Sequence, residues 1–332
     1  MVDYFLRRII VTARPGFVVW LCTPRCNRNC LHCYVKGRFT AELETKEAKR
    51  LIEEIGGLKP GFLSITGGEP LVRNDIFHLL EYAGDLMHVG VVTNGSLIDV
   101  EAAARLSRLD VYVSLSFDAA TKETCELIRG KGAWERAVAA ARALKENGVP
   151  FNPVMTITSL NVHEAGAFVN FAADMESGHA SLIPLIPSGN ADARLMPSQS
   201  SLASAIKSVE EVAEDRGFPV SLWCTSFAQA LVKSPYIHPG GCSDLSMDID
   251  PVGNVLLCDV LDFKLGNILE DGGKQAWRKM MSNPLYKEFR DASKLTGKCR
   301  ECTLKLTCRG GCKARAYLTR GSFFTPDPLC PL

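Results

Sequence analysis

Leu21–Lys36 reads LCTPRCNRNCLHCYVK, and its three cysteines, Cys26, Cys30 and Cys33, stand as C-x3-C-x2-C just after an apolar run, Phe17–Leu21, that reads as a strand. Three thiolates on one tight loop suit a soft metal or an iron-sulfur cluster. The number of cysteines separates the two. A structural zinc site closes with four protein ligands, commonly from two cysteine pairs. A 4Fe-4S cluster held by three cysteines instead keeps one iron open to an exogenous ligand.

Outward from this loop the chain alternates. Phe62–Thr66, Val89–Val92, Val111–Phe117, Phe151–Ile157 and Ala180–Ile186 read as further strands. Thr45–Ile55, Ile76–Ala83 with Asp75 as its cap, Asp99–Leu106, Ala133–Asn147 and Val162–Met175 carry helical spacing between them. Such alternation predicts an α/β fold with a parallel sheet, whose ligands collect at the C-terminal ends of the strands. Pattern alone leaves an open sheet and a partial barrel as alternatives. The turn-rich run 188–200 marks a junction, and after a helix over Ser201–Arg216 the regular alternation is expected to stop.

Composition narrows the class. Apolar residues at 46% and charged residues at 23% exclude disorder, and 38 basic against 37 acidic residues, without a basic tract, exclude a phosphate-tracking surface. Nucleic acid is not an expected partner. The opening MVDYFLRRIIVTARPGFVVW has no apolar stretch near the ~18 residues of a membrane span, and reads as an amphipathic cap or edge strand. No signal peptide is apparent, so a cytoplasmic location is expected. The 13 cysteines, gathered in short motifs, then point to metal or cluster ligation rather than disulfides.

Cys26, Cys30 and Cys33 followed by Tyr34, with Gly67-Gly68-Glu69-Pro70 after the second strand, resemble the radical S-adenosylmethionine (SAM) superfamily. The resemblance implies a partial (β/α)6 TIM-like barrel over roughly residues 15–190. It also implies that the open iron of the cluster chelates the methionine moiety of SAM. In the motif GGEP, two glycines permit close backbone approach to a ligand, and Glu69 offers a carboxylate, by family role to the SAM amino group. His32 occupies the place where the family usually has an aromatic whose backbone meets adenine, and Tyr34 is placed to cover the cluster. Thr93 and Asn94, in TNG after strand three, and Ser114, Ser116 and Asp118 on strand four resemble positions near ribose and carboxylate. Arg129 is a candidate bidentate partner of the carboxylate, and Leu185 a candidate apolar contact of adenine.

Cys299, Cys302, Cys308, Cys312 and Cys330, with Cys242 and Cys258 upstream, resemble the SPASM extension of that superfamily over about residues 240–332. The chain is accordingly divided into a core over 1–190, a linker with bridging helices over 191–239, and an auxiliary iron-sulfur domain over 240–332. By the resemblance Cys299, Cys302, Cys308 and Cys330 hold one 4Fe-4S cluster, and Cys242, Cys258 and Cys312 another. This second cluster shows three cysteines. Met247 lies where a fourth ligand is looked for, Cys224, His238 and Asp244 are alternatives, and an iron open to substrate is another. The zinc-ribbon alternative uses fewer cysteines than are present. Cys22 and Cys125 read as core thiols, with Cys125 the one candidate for a catalytic thiol.

The expected activity is reductive cleavage of SAM and abstraction of a substrate hydrogen. The segments GGCKARAYLTRG and DPLCPL resemble the tetrapyrrole branch, which decarboxylates or oxidises propionate side chains in alternative heme and heme d1 biosynthesis. Maturases of thioether peptides, mycofactocin, pyrroloquinoline quinone, sulfatases or a tungsten cofactor are the alternative. Only about 25 residues precede Cys26, too few for a fused leader-recognition domain, which disfavours peptides. A ferredoxin or flavodoxin is the expected reductant. A non-enzymatic iron-sulfur carrier or zinc scaffold is the remaining alternative, against which the three-cysteine loop beside GGEP argues.

Overall fold

β1 (Phe17–Thr23) is the strand against which both halves of the sheet are laid. Val18, Trp20 and Cys22 are fully buried in the main core, while Leu21 turns to the other face against Val35 and Leu256. Such two-sided burial is what a parallel strand requires. The computed structural model describes residues 14–241 and 245–332, so most of the N-terminal stretch read as a cap or edge strand, together with Cys242 and Asp244, lies outside the described residues.

β2 (Phe62–Gly67), β3 (Val89–Thr93), β4 (Tyr112–Ser116), β5 (Phe151–Ile157) and β6 (Ala180–Pro184) follow β1 side by side, all parallel. This is the expected partial TIM-like barrel. Between the strands run α1 (Thr45–Gly56), α2 (Ile76–Gly84), α3 (Val100–Arg108), α4 (Lys122–Arg129), α5 (Ala133–Glu146) and α6 (Ala165–Asp174). α1 buries Ala48, Leu51, Ile52 and Ile55, the face its spacing predicts.

Three departures from the sequence reading have physical causes. Asp75 does not cap α2, because its carboxylate takes Arg73 Nε at 2.9 Å, Arg73 Nη2 at 2.8 Å and the Thr45 hydroxyl at 2.7 Å. A charged fork outcompetes one helix amide. α4 was not expected: Thr121 caps it, and its largely polar surface hides the buried positions Cys125, Ile128 and Arg129. The helix expected over Val162–Met175 opens as a 3-10 turn, Val162–Glu164, and Glu164 does not cap α6 because its carboxylate is spent on the amides of Ala120 at 2.8 Å and Thr121 at 3.1 Å.

The alternation also continues past α7 (Gln199–Arg216). β7 (Val220–Leu222) and β8 (Ile237–Pro239) extend the sheet in parallel beyond β6, and at three residues each they are too short to register as apolar runs. At the opposite edge β9 (Ser246–Ile249) lies parallel to β1, and β10 (Asn254–Leu256) and β11 (Lys264–Asn267) add antiparallel. One sheet of eleven strands among the described residues thus spans all three sequence divisions. The C-terminal residues then form α8 (Ile268–Asp271), α9 (Gly273–Ser282), α10 (Pro284–Arg290), α11 (Lys305–Cys308) and α12 (Lys313–Arg320). No helix among the described residues is long and apolar enough to cross a membrane.

Arg315 of α12 fastens this C-terminal region to the barrel. Completely buried, it donates from Nη2 to the Pro184 carbonyl at 2.8 Å, from Nε to that of Leu185 at 2.9 Å and from Nη1 to Asp327 Oδ2 at 2.7 Å. The same Asp327 oxygen accepts the Cys312 amide at 2.8 Å. Arg315→Met strands the Asp327 charge in the core and is expected to cost ~3–5 kcal/mol, read as a lowered urea midpoint. An unchanged midpoint would show that the pair does not fasten the two regions.

Candidate active site at the barrel mouth

The cysteine loop leaves β1 and is immediately clamped to the turn after β2. Gly68 N–H donates to the Thr23 carbonyl at 2.7 Å and Glu69 N–H to that of Arg25 at 2.8 Å. A Cβ on Gly67 would lie 2.5 Å from the Thr23 oxygen, and one on Gly68 2.2 Å from the Arg25 oxygen. The sequence reading gave the close approach of these glycines to a ligand. The structure gives it to the backbone of the cysteine loop itself, and the missing side chains let the two segments touch.

Glu69, 1% exposed, joins the turns after β2 and β3. Its carboxylate accepts the Thr93 hydroxyl at 2.7 Å, the Asn94 amide at 2.7 Å and the Leu71 amide at 3.1 Å. Burial pushes its pKa up, against these three bonds and the charge of Arg129. A carboxylate offers about four acceptor positions, so one is left for a further donor. The Asn94 side chain continues the clamp, donating to Asn27 Oδ1 at 3.0 Å with its Nδ2 4.0 Å from Cys26 Sγ. Thr93 and Asn94 therefore bind the loop and the glutamate first. Tyr34 is hydrogen-bonded to Thr66 and Asp259, anchoring the loop to β2 and to the turn after β10.

Cys26, Cys30 and Cys33 share one electrostatic neighbourhood: the Cys30 thiol is pushed up by burial, with Arg129 offsetting and Asp118, Cys33 and Cys26 adding to the rise. Cys26 and Cys30, both disfavoured by burial as bare thiolates, gain most from a cation. A single zinc would draw its sulfurs to about 3.8 Å of one another. Among the described residues, the group of three candidate ligands whose atoms all lie within 4.8 Å of one another is Asp248, Cys258 and Asp259, and the Cys26 triad is not so contracted. Three soft donors on one loop, with no fourth cysteine on it, are the donor set of an iron-sulfur cube that keeps one iron open.

α4 supports the loop from the other side, its Ile128 carbonyl accepting the Leu31 amide at 3.0 Å and the Gly132 carbonyl beyond it accepting Arg28 Nη2 at 3.2 Å. Asp118, 1% exposed, has φ +65° at the end of β4. It pairs with Arg129 Nη1, lies 3.1 Å from His32 Nε2 and accepts the Thr156 amide at 2.6 Å. Burial raises the Asp118 pKa, but His32 and Arg129 hold it well below the usual carboxylate range. Arg129 thus has one nitrogen committed to Asp118. The His32 side chain faces Asp118, with Nδ1 buried and lacking a partner among the described residues.

Inside the barrel Ser114 donates to Asn152 Oδ1 at 2.9 Å, and Asn152 Nδ2 to Ser181 at 3.0 Å. Asn152 and Ser181 escaped the sequence reading; polar residues on otherwise apolar strands were the available signal. Ser116, half-buried, ends β4 beside this row. Leu185, 1% exposed just past β6, donates its amide to the Ile157 carbonyl at 2.9 Å. Cys125 packs with Ala119 and Ala133, and burial pushes its thiol up to about 12, so it is no thiolate nucleophile at neutral pH.

The C-terminal cysteines divide into two groups. Cys299, Cys302, Cys308 and Cys330 line one small pocket, walled by Phe227 and Leu304. Burial, then Cys330, Cys308 and Cys302, push the Cys299 thiol up to about 11, so the four sulfurs face one space. Four thiols around a void fit a fully ligated cluster. Cys312 lies outside this set. Cys258 lies with Asp248 and Asp259. Met247 is fully buried on β9 in the main core opposite Val18, so it is packing and not a ligand. His238 is exposed on β8, and burial, then the nearby His238, lowers the pKa of His179.

Gly68→Ala is expected to push the cysteine loop away and remove about four irons per anaerobically purified chain. Iron analysis checks this, and full iron content would show that the clamp does not set the site.

Comparisons with known proteins agree with this geometry. The radical SAM superfamily model matches residues 20–172, and the iron-sulfur cluster-binding SPASM model residues 242–303. The AdoMet-dependent heme synthase of Methanosarcina barkeri is 28% identical, covering 97% of this chain and 98% of its own length. The mycofactocin maturase of Mycobacterium ulcerans is 32% identical, covering 95% and 88%. The structure of Streptococcus suis SuiB bound to its precursor peptide SuiA shares the fold, with TM-score 0.78 at 18% identity over 99% of this chain and 79% of that one. The chain belongs to the radical SAM superfamily and carries a SPASM domain, an enzyme that uses S-adenosylmethionine with a 4Fe-4S cluster and binds auxiliary iron-sulfur clusters.

Proposed function

We propose that the substrate is a tetrapyrrole whose carboxylate-bearing side chain is oxidatively decarboxylated, as in alternative heme or heme d1 biosynthesis. The observation that carries this reading is the end-to-end correspondence with the heme synthase, 97% of one chain against 98% of the other. Two buried guanidinium nitrogens support it. Arg28 Nε, within the cysteine loop, and Arg38 Nη2, just beyond it, have no hydrogen-bond partner among the described residues. Arg28 Nη2 is held by the Gly132 carbonyl and Arg38 Nε and Nη1 by Asp262, Tyr34 and Asp259, so each arginine keeps one unpartnered nitrogen as a donor for a carboxylate oxygen such as a propionate supplies.

In this reading Cys26, Cys30 and Cys33 hold the SAM-binding cluster, and Glu69 gives its remaining acceptor position to the SAM amino group. Arg129, oriented by Asp118, faces the SAM carboxylate. Asn94, Ser114 and Ser116 border the ribose, and His32 and Leu185 border adenine. The chemistry supplied by cluster and SAM is reductive cleavage of the sulfonium and abstraction of a substrate hydrogen. The protein's task is to exclude water and aim that step at one side chain. A ferredoxin or flavodoxin in the cytoplasm provides the electron. The second reading is maturation of a peptide, favoured by the higher identity, 32%, to the mycofactocin maturase.

Anaerobic enzyme given dithionite and SAM tests the choice, with 5'-deoxyadenosine and product mass as readouts. Fe-coproporphyrin or didecarboxysiroheme is expected to bind and stimulate SAM cleavage; stimulation by a peptide encoded beside the gene, with neither tetrapyrrole active, would overturn the assignment. Cys308→Ala is expected to keep SAM binding and lose product formation, and full turnover by that variant would make the C-terminal cluster purely structural.

A further inference from the structure

The most exposed large apolar side chain among the described residues is Leu306, at 77%. It stands on α11 between Lys305 and Cys308, both residues of the four-cysteine pocket. Leu332, 47% exposed, lines the same pocket. Charge of one sign is gathered around these leucines. Residues 294–309 carry five basic side chains, Lys294, Lys298, Arg300, Lys305 and Arg309, against one acidic, Glu301, in a chain whose net charge is +1. The five are spaced through the cysteine motif, so no run of basic residues shows in the sequence. Because Cys299, Cys302, Lys305 and Cys308 all line the pocket, the fold gathers the charges between them at its edge.

An exposed apolar centre within charge of one sign is the make-up of a docking face for a partner of the opposite sign. Encounters between electron-transfer proteins need no large interface. We propose that this face docks a small acidic electron-carrier protein, which passes one electron to the group that the four cysteines hold. The carrier is oxidised by one electron and that group is reduced by one, with no atom transferred. The inference rests on the reading that a ferredoxin or flavodoxin supplies the electron, and assigns where that partner docks; the choice between tetrapyrrole and peptide does not enter.

Burial and charge favour this face in two ways. Cys299 and Cys330 are buried, whereas Cys302 and Cys308 are only half-buried, so the protein covering is thinnest on the side that carries Arg300, Lys305 and Leu306. Arg300 is exposed, and Lys298 donates to the Cys330 carbonyl at 2.7 Å, a neutral partner that leaves its charge uncancelled. Lys294 alone of the five is paired with a carboxylate in this way, with Glu288 at 2.7 Å. The first cysteine loop is the competing face, with Leu31 and Leu127 exposed beside it. Its charges are largely spent: Arg25 is paired with Glu42 and Lys122 with Glu135, and Glu123 and Glu126 of α4 offset Arg28 and Lys131.

A reduced 2Fe-2S ferredoxin of net negative charge is the probe, titrated anaerobically against the iron-loaded chain with binding read by calorimetry. Binding is expected to weaken about tenfold or more between about 50 and 500 mM salt, as an encounter between opposite charges does. Arg300→Glu is expected to weaken it about tenfold at low salt, and Leu306→Ala several-fold, with iron content and dithionite-driven SAM cleavage unchanged in both. Lys131→Glu, beside the first loop, is expected to leave binding as it is. Equal affinity of the wild-type and Arg300→Glu chains, or weakening by Lys131→Glu instead, would overturn the docking face while leaving ferredoxin as the reductant. A ferredoxin that neither binds nor drives SAM cleavage, where dithionite does, would overturn the carrier reading and the face with it. Should Arg300→Glu lose iron, carbodiimide cross-linking of the unsubstituted chain decides: ferredoxin joined to Lys298 or Lys305 is the expected product, and ferredoxin joined to Lys36 or Lys131 the refuting one.

Discussion

A single buried carboxylate holds the mouth of the barrel together. Glu69 takes a hydroxyl and two amides from the turns after β2 and β3, and its own amide, with that of Gly68, grips the carbonyls of the cysteine loop. Burying such a charge is costly unless its acceptors are filled. The same bonds that satisfy Glu69 therefore set the distance between the cysteine loop and the strand ends. On the far side α4 and the Asp118–Arg129 pair complete the frame, and the field of Arg129 reaches both Cys30 and Glu69. A cofactor held by that loop inherits its position from this network.

The C-terminal region is joined to the frame in two ways. β9 pairs with β1, the first strand of the barrel, and Arg315 reaches the carbonyls at the end of β6, on the other side. Both attachments lie at the strands that flank the mouth. Auxiliary clusters carried by this region are thus built onto the barrel itself, and the buried Arg315–Asp327 pair makes the attachment specific in geometry, since either charge left alone in the core is costly.

Much of this was legible in the sequence, for reasons that differ by residue. The alternation of strands and helices is written in local apolar periodicity, and the C-x3-C-x2-C loop and GGEP are chemistry written as spacing. The grouping of Cys299, Cys302, Cys308 and Cys330, implied by resemblance, reappears as one pocket. What stayed hidden depends on distant pairs. Nothing local tells that Gly67 and Gly68 yield space to Thr23 and Arg25 rather than to a ligand, or that Arg129 already has Asp118 as a partner. α4 was masked by its polar face, β7 and β8 by their shortness, and the hydrogen bond between the Cys224 and Cys312 side chains by the long stretch of chain between them.

The account rests on cysteine sets that each hold an iron-sulfur cube rather than a single ion. The most direct measurement is the metal and acid-labile sulfide content of the anaerobically purified chain. About twelve irons with matching sulfide, three clusters of four, is the result the account predicts. Zinc in place of iron, with no sulfide, would contradict it.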